Sequence, residues 1–406
     1  MSTEKRYCKL LMVTRENNNK YYEMICEDGN NVTINYGRVE LTKTTYVTSI
    51  NEWDSIYKSK VKKGYKDVTH LVSVEVQEVV DDKPAKLKKI AEAKVDTFVS
   101  LMKKYTDNLV TATYSVKCEN VSQAQIDEAQ SIIDALTKLD KKKQQDVIND
   151  NLIQLYTTIP RKMSKVNLFL MPNIDLEKAF IQEQDNLDAM ASQVAMATGS
   201  GDTKKEKKTK KDEQSILDVM GLTMTEIKSH KDLDYLVKQI NSGSGYSRQR
   251  IEAIFEVNKP AENTRFDNWM KDQKNNSTRI LIHGTRCTSV IPILEQGLKI
   301  RPNGNFQYSG KAYGDGNYFS EVVSKSINYT GHDNDKILLV YEVHTGNPFT
   351  YNGWYSGNDF SLNYTELHKR GFDSTYVKAG NGLANSEIIA YKEQQDKIRY
   401  IIWLKN

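Results

Sequence analysis

RILIHGT at positions 279–285, SVIPILEQGLKI at 289–300 and YGDGNYFSEVVSKSINYT at 313–330 form the stretch on which the reading of this chain turns. RILIHG is a strand-like run that ends on His283 and Gly284. SVIPILEQGLKI is helix-compatible. A Gly-x-Gly turn then leads through Tyr318 into a helical run in which Ser326 and Tyr329 stand at i and i+3, on one face. Around this stretch, RQRIEAIFEVNKP alternates as a strand, with Ile251, Ala253 and Phe255 on one side. KILLVYEVHTG, EIIAYKE and KIRYIIWL are further strand runs, and HKDLDYLVKQI is a helix. Strands outnumber helices and do not alternate with them, which predicts an α+β domain over 215–406 and not a doubly wound sheet.

Upstream the texture changes. Residues 199–214, TGSGDTKKEKKTKKDEQ with its preceding threonine, combine a Gly/Ser step with a lysine run and read as a flexible, exposed linker. Residues 85–198 show helical periodicity and almost no glycine. Ile90, Val95, Phe98 and Leu101 mark one helix. Ser122 with Gln125 three residues later makes a capping box, followed by the stripe Ile126, Ala129, Ile132, Ile133 and Leu136. Another helix ends at Pro160, and DLEKAFIQEQDNLDAMASQVAM is a further one. This segment predicts an all-α bundle whose stripes are core. Residues 1–80 are β-rich, with Asp28-Gly29 as a hairpin signal and Trp53, Ile56 and Tyr57 on one face of a following helix.

The totals exclude several classes. The chain has 406 residues, 27% charged and 38% hydrophobic, with a net charge of +4; that is room for two or three cores and an ordinary soluble composition. No apolar run approaches the ~18 residues of a membrane span, and the N-terminus has no apolar signal region. The four cysteines are scattered and none is at CxxC spacing, which argues against a zinc site or disulfide framework and for a reducing compartment. No HExxH or HxH pattern occurs, and no metal is expected. Gly314-Asp315-Gly316 lacks the third glycine of a dinucleotide fingerprint, and neither a P-loop nor a GxSxG elbow is present.

Taken in order, LIHGT, ILEQGLKI, GDGNYFSEVVSKSINY and SEIIAYKEQQDKIRYIIWL resemble the catalytic domain of the poly(ADP-ribose) polymerases. SQAQIDEAQSIIDAL, LYTTIPRK and EQDNLDAM are similar to that family's helical regulatory domain. Tyr36-Gly37-Arg38-Val39 with its flanks resembles a WGR domain, Tyr36 standing in place of the signature Trp. The resemblance implies a multidomain α+β chain in three parts: a small antiparallel sheet with a helix (1–80), a helical regulatory bundle (85–198), and, after the linker, an ADP-ribosyltransferase fold with two mostly antiparallel sheets (215–406).

The implied substrate is NAD, cleaved between nicotinamide and ribose through an oxocarbenium-like transition state. On this resemblance Tyr318 and Tyr329 supply the faces of a slot for the nicotinamide ring. The Gly284 backbone and the Ser326 hydroxyl bind its carboxamide. His283 and Thr285 take the adenosine ribose, and Lys299 stands where an Arg serves the adenine side. Glu387 binds the nicotinamide ribose, stabilises the developing positive charge and orients an acceptor hydroxyl. His283, Tyr318 and Glu387 are the implied catalytic set. Asn385 and Ser386 precede Glu387 where relatives have Tyr-Asn, on the acceptor side; the same pocket would serve chain elongation or single transfer to proteins. A catalytically weak DNA-end-binding scaffold is the reading from another class, and the intact set argues against it. Tyr36 and Arg38 would contact DNA strand breaks, with Lys58, Lys60, Lys62, Lys63 and Lys66 adding positive charge. The helical domain would cover the NAD site until that signal loosens it. The family and the lysine run imply a nuclear location and a role in DNA repair.

Overall fold

The computed structural model describes residues 5–39, 41–71, 87–140, 142–198, 214–243, 249–300, 312–351, 359–380 and 383–405; the lysine run at 204–211 lies outside them. Two compact units result: Met1–Pro84 with Asn108–Thr198, and Ala85–Asp107 with Gly199–Asn406.

In the first unit, β1 (Arg6–Thr14), β2 (Asn18–Cys26), β3 (Asn31–Arg38), β4 (Thr44–Ser49) and β5 (Lys66–Asp67) form an antiparallel sheet in the order β4-β3-β2-β1-β5. The β2–β3 turn is set by Asp28, whose carboxylate accepts from the Asn30 and Asn31 amides at 2.8 and 2.7 Å, and by Gly29 at φ 73°. Helix α1 (Trp53–Lys62) lays Trp53, Ile56 and Tyr57 on a core of Leu10, Tyr22, Met24, Val32 and Ile34. Helix α2 (Ala93–Thr113) ends in this unit, followed by α3 (Gln123–Leu136), α4 (Gln145–Thr158) and α5 (Leu176–Thr198). The Ser122–Gln125 capping box forms, and all five residues of the α3 stripe are buried.

The second unit begins with the first part of α2. The helix starts at Ala93, so Ile90 precedes it, and its buried face is Val95, Phe98, Val99 and Met102, with Leu101 only partly covered. Then come α6 (Ile216–Val219), β6 (Thr223–Ile227), α7 (Asp234–Ser242), β7 (Arg250–Asn258), α8 (Pro260–Lys271), β8 (Thr278–Thr285), α9 (Cys287–Gln296), β9 (Asn317–Phe319), α10 (Val323–Ile327), β10 (Asp335–His344), β11 (Pro348–Tyr351), α11 (Tyr364–Lys369), β12 (Ser374–Val377), β13 (Glu387–Ala390) and β14 (Asp396–Lys405). They make two sheets. One is antiparallel throughout, β6-β7-β14-β10-β8. The other is β11-β12-β13-β9, parallel at β11–β12 and antiparallel elsewhere. Mixed α+β architecture with mostly antiparallel sheets is therefore what this part of the sequence builds.

The simple alternation expected for β7 is overridden. Ala253, Ile254, Phe255 and Val257 are all buried because both faces of the sheet are covered. Ile254 joins Leu233, Leu236 and Ile240 on the α7 side. On the other face Phe98 packs on Phe255 and Trp403 at ring distances of 4.9 and 5.6 Å. A strand buried on two faces reads as a continuous apolar run.

Candidate active site

Strand β8 is the outer strand of its sheet and pairs with β10 with Gly284 opposite Leu338 and His283 opposite Leu339. On its other side, Ile282 and Ser320 exchange two N–H···O=C bonds of 2.9 Å. Ser320 directly follows β9, itself the outer strand of the second sheet, where Tyr318 lies opposite Ile389 of β13. Register continues toward Glu387, the first residue of β13. The two sheets thus meet at a seam, with His283 and Gly284 on one flank and Glu387 on the other.

His283 is partly buried, and its Nδ1 lies 3.0 Å from the Tyr318 carbonyl. A carbonyl only accepts, so Nδ1 carries the proton and Nε2 is left as an acceptor. Burial lowers the His283 pKa below its ordinary 6.5, the hydrogen bond opposing this; the ring is neutral at pH 7.

Glycine at 284 is required by packing. A Cβ there would collide with the Ser326 carbonyl oxygen and stand 2.7 Å from its carbon. Helix α10 therefore lies directly against β8, which sets buried Ser326 beside Gly284. Gly316 has a similar constraint: a Cβ would come within 2.6 Å of Ile389 Cγ2 and 2.7 Å of the Ala390 oxygen. The Gly-x-Gly turn closes through Tyr318, whose hydroxyl donates to the Gly314 carbonyl and accepts from the Tyr313 amide, both at 2.8 Å.

Tyr329 differs from expectation. Helix α10 ends at Ile327, and Tyr329 stands in the turn beyond it, its amide donating to the Ser326 carbonyl at 3.1 Å. Ser326 is 3% exposed and Tyr329 54%, so the two do not share a helix face: the short helix stops before the i+3 position. Tyr329 is nevertheless close enough to Glu387 for that charge, after partial burial, to raise its phenol pKa.

Glu387 is 7% exposed and is not the solvent-facing strand start that its sequence position alone suggests. Lys325 Nζ lies 2.7 Å from its Oε1 and also donates to the Asn385 carbonyl at 3.2 Å. Lys325 stands between Ser324 and Ser326, and nothing local in the sequence marks it as the partner of Glu387. Ser320, the seam residue, was missed for the same reason.

Of the remaining residues, Thr285 is buried opposite Ile337. Lys299 pairs with Glu393 at 3.1 Å, and its neighbour Leu298 accepts from Asn317 Nδ2 at 3.2 Å, beside Tyr318 in β9. In the first unit Tyr36 is 37% exposed between Tyr22 and Tyr46, at ring distances of 5.7 and 6.1 Å. Arg38 Nη2 donates to the Ser164 carbonyl at 3.0 Å, tying the sheet to the helical segment. Lys60 Nζ lies 3.8 Å over the Tyr22 ring. Among the described residues no group of three or more His, Cys, Asp or Glu could hold a metal ion, and no helix is long and apolar enough to cross a membrane.

Residues 228–353 match the family model of the poly(ADP-ribose) polymerase catalytic domain. The poly [ADP-ribose] polymerase-like protein 100L of Invertebrate iridescent virus 6 is 59% identical over 172 residues, 42% of this chain and 92% of that protein. The chain belongs to the poly(ADP-ribose) polymerase family. It is an NAD-dependent ADP-ribosyltransferase. The uncharacterized protein 101L of the same virus is 45% identical over 190 residues, 46% of this chain and 77% of that one. Poly [ADP-ribose] polymerase 1 of Xenopus laevis is 26% identical over 280 residues, 68% of this chain and 26% of its own length. In this ADP-ribosyltransferase the matched segment holds β8, β9, α10 and β10. Glu387 lies beyond the match and is brought to the seam by the pairing of β13 with β9.

Proposed function

We propose that this ADP-ribosyltransferase is a poly(ADP-ribose) polymerase activated by DNA breaks. The observation that carries the catalytic assignment is the seam. Ile282 spends its amide and carbonyl on Ser320, away from β10. Backbone groups alternate sides along a strand, so Gly284, two residues on, turns its amide and carbonyl the same way. That gives one donor and one acceptor, the complement of a carboxamide, with the Ser326 hydroxyl adjacent. Tyr318 and Tyr329 flank the flat ring. His283, with Nε2 as acceptor, and Thr285 take the hydroxyls of the adenosine ribose, and Lys299 serves the adenine end.

Glu387, held by Lys325, then binds the 2′-hydroxyl of the nicotinamide ribose. As the C1′–N bond breaks, its electron pair leaves with nicotinamide, which departs neutral, and positive charge develops on the sugar. The fixed carboxylate stabilises that charge without reorganising. It also orients the acceptor hydroxyl, whose oxygen bonds to C1′ and whose proton is released. Acceptors are protein side chains, the enzyme's own included, and then ADP-ribose itself.

Residues 1–80 act as a WGR-type domain, with Tyr36 stacking at a DNA end and Arg38 near a phosphate; α3–α5 belong to a helical regulatory domain; the protein works in the nucleus in DNA repair. Exposure of Tyr36 within a tyrosine cluster beside Lys60 supports the DNA assignment. The test is incubation with labelled NAD, with and without nicked duplex DNA, followed by gel electrophoresis. A DNA-dependent ladder is expected. A single band in both lanes means single transfer, and equal ladders without DNA remove the sensing role. Glu387→Gln reduces the ladder to a faint band; an unchanged ladder refutes the assignment of Glu387.

A further inference from the structure

Helix α10 places two side chains at the seam, Lys325 against Glu387 and Ser326 beside Gly284, yet it has only five residues. A helix that short does not hold its own position, because one turn returns too few hydrogen bonds for the residues it orders. Its N-cap residue is Val322, whose side chain has no oxygen to accept from the first amides. The missing acceptor comes from α7. Gln239 Oε1 accepts from the Val323 amide at 2.9 Å, and Nε2 of the same side chain donates to the Glu321 carbonyl, also at 2.9 Å. One carboxamide therefore grips the backbone on both sides of Val322. Val323 itself packs in the core that Leu236 and Ile240 of α7 share with Ile282.

One turn before Gln239, Tyr235 takes hold of the strand. Its hydroxyl donates to the Ile280 carbonyl of β8 at 2.7 Å. Residues at i and i+4 share a helix face, so the same side of α7 presents one contact to β8 and two to α10. Along the outer edge of β8 every second residue turns its backbone groups outward. Ile280 is met there by Tyr235 and Ile282 by Ser320, and Gly284 is the next in that row. We propose that Tyr235 and Gln239 are positioning residues for the carboxamide of NAD. By clamping β8 and α10 to one helix, they set the spacing between the Gly284 backbone and the Ser326 hydroxyl. The inference rests on the assignment of Gly284 and Ser326 to that carboxamide.

The full chain, with nicked duplex DNA present, is titrated calorimetrically with nicotinamide and with ADP-ribose, the two halves of NAD. The proteins compared are the wild type, Gln239→Leu, Tyr235→Phe, Ser326→Ala and the double variant Gln239→Leu/Ser326→Ala. Gln239→Leu keeps most of the side chain's bulk and removes its hydrogen bonds. Tyr235→Phe removes a single hydroxyl and carries the test if Gln239→Leu does not fold. Nicotinamide is expected to bind about tenfold more weakly to Gln239→Leu and about threefold more weakly to Tyr235→Phe. ADP-ribose should bind both within about twofold of the wild type; a merely structural role would weaken the two ligands together. In the double variant the loss should fall short of the product of the single losses, because the placement of a hydroxyl that is gone no longer matters. Equal weakening of both ligands, unchanged nicotinamide affinity in Gln239→Leu and Tyr235→Phe, or a double-variant loss equal to the product each overturns the clamp. Nicotinamide affinity unchanged in Ser326→Ala, or no saturation of the wild type by about 10 mM, refutes the carboxamide assignment itself and the clamp with it.

Discussion

The Lys325–Glu387 pair yields the sharpest prediction. Lys325→Met removes the ammonium and keeps most of the side chain's length. Both partners are about nine-tenths buried, and their charged atoms are 2.7 Å apart. At an effective dielectric near 20, two unit charges at that separation attract by about 6 kcal/mol. Desolvation of both ions offsets much of this, so the pair's net worth is small. Removing one partner is different, because it leaves Glu387 charged, buried and unpaired, a loss of roughly 3–5 kcal/mol. For a unit of this size that lowers the melting transition by roughly 6–20 °C. Adding Glu387→Gln to Lys325→Met removes the stranded charge, and the double variant is expected to be more stable than Lys325→Met alone by about 2 kcal/mol. The assay is thermal and urea unfolding of the wild type, both single variants and the double. If the two single effects add within about 0.5 kcal/mol, the side chains do not interact and Lys325 does not hold Glu387.

Three further outcomes are expected. Gly284→Ala forces β8 and α10 apart, lowering stability by about 1–3 kcal/mol and raising the KM for NAD; steady-state kinetics on the folded variant check this, and an unchanged KM contradicts the close approach of Ser326. His283 has a depressed pKa in the folded state, so its contribution to stability is full above the unfolded value near 6.5 and is lost as pH falls through the lower folded value. NMR titration of the His283 ring should give a midpoint below 6.5, and the pH dependence of unfolding below 6.5 should weaken in His283→Asn. Phe98→Ala empties a fully buried site against Phe255 and Trp403 and should cost about 3–5 kcal/mol, read as a lower melting transition of the catalytic unit.

Much of the fold was legible where the physics is local. The Asp28-Gly29 turn, the Ser122–Gln125 box and the α3 stripe each depend on neighbours a few residues away, and each formed as read. Legibility failed where tertiary contacts decide. β9, β11 and β12 are three or four residues long, too short for a period, and exist because partners pair with them. The alternation in β7 disappears because α2 and α7 cover opposite faces. The helix carrying Ser326 stops two residues before Tyr329, a boundary that i+3 spacing cannot see. The site followed the same division: residue types and their order were visible in the strand ends and the Gly-x-Gly turn, while the Lys325–Glu387 pair and the Ser320 seam join segments distant in sequence.

The meeting of Ile282 with Ser320 has a mechanical consequence. Each sheet carries its own core, one around Leu338, Tyr400 and Ile402 and the other around Tyr313, Leu367 and Ile389, and the two are joined again away from that contact. Phe319 packs on Tyr341 at 5.6 Å, Asn317 Nδ2 donates to the Asp396 carboxylate at 2.8 Å, and Ser374 Oγ donates to the Thr345 carbonyl at 2.7 Å. Fastened along a line of rivets, the two sheets have no free hinge at the seam, and the spacing between Gly284 on one and Glu387 on the other is a fixed dimension of the domain.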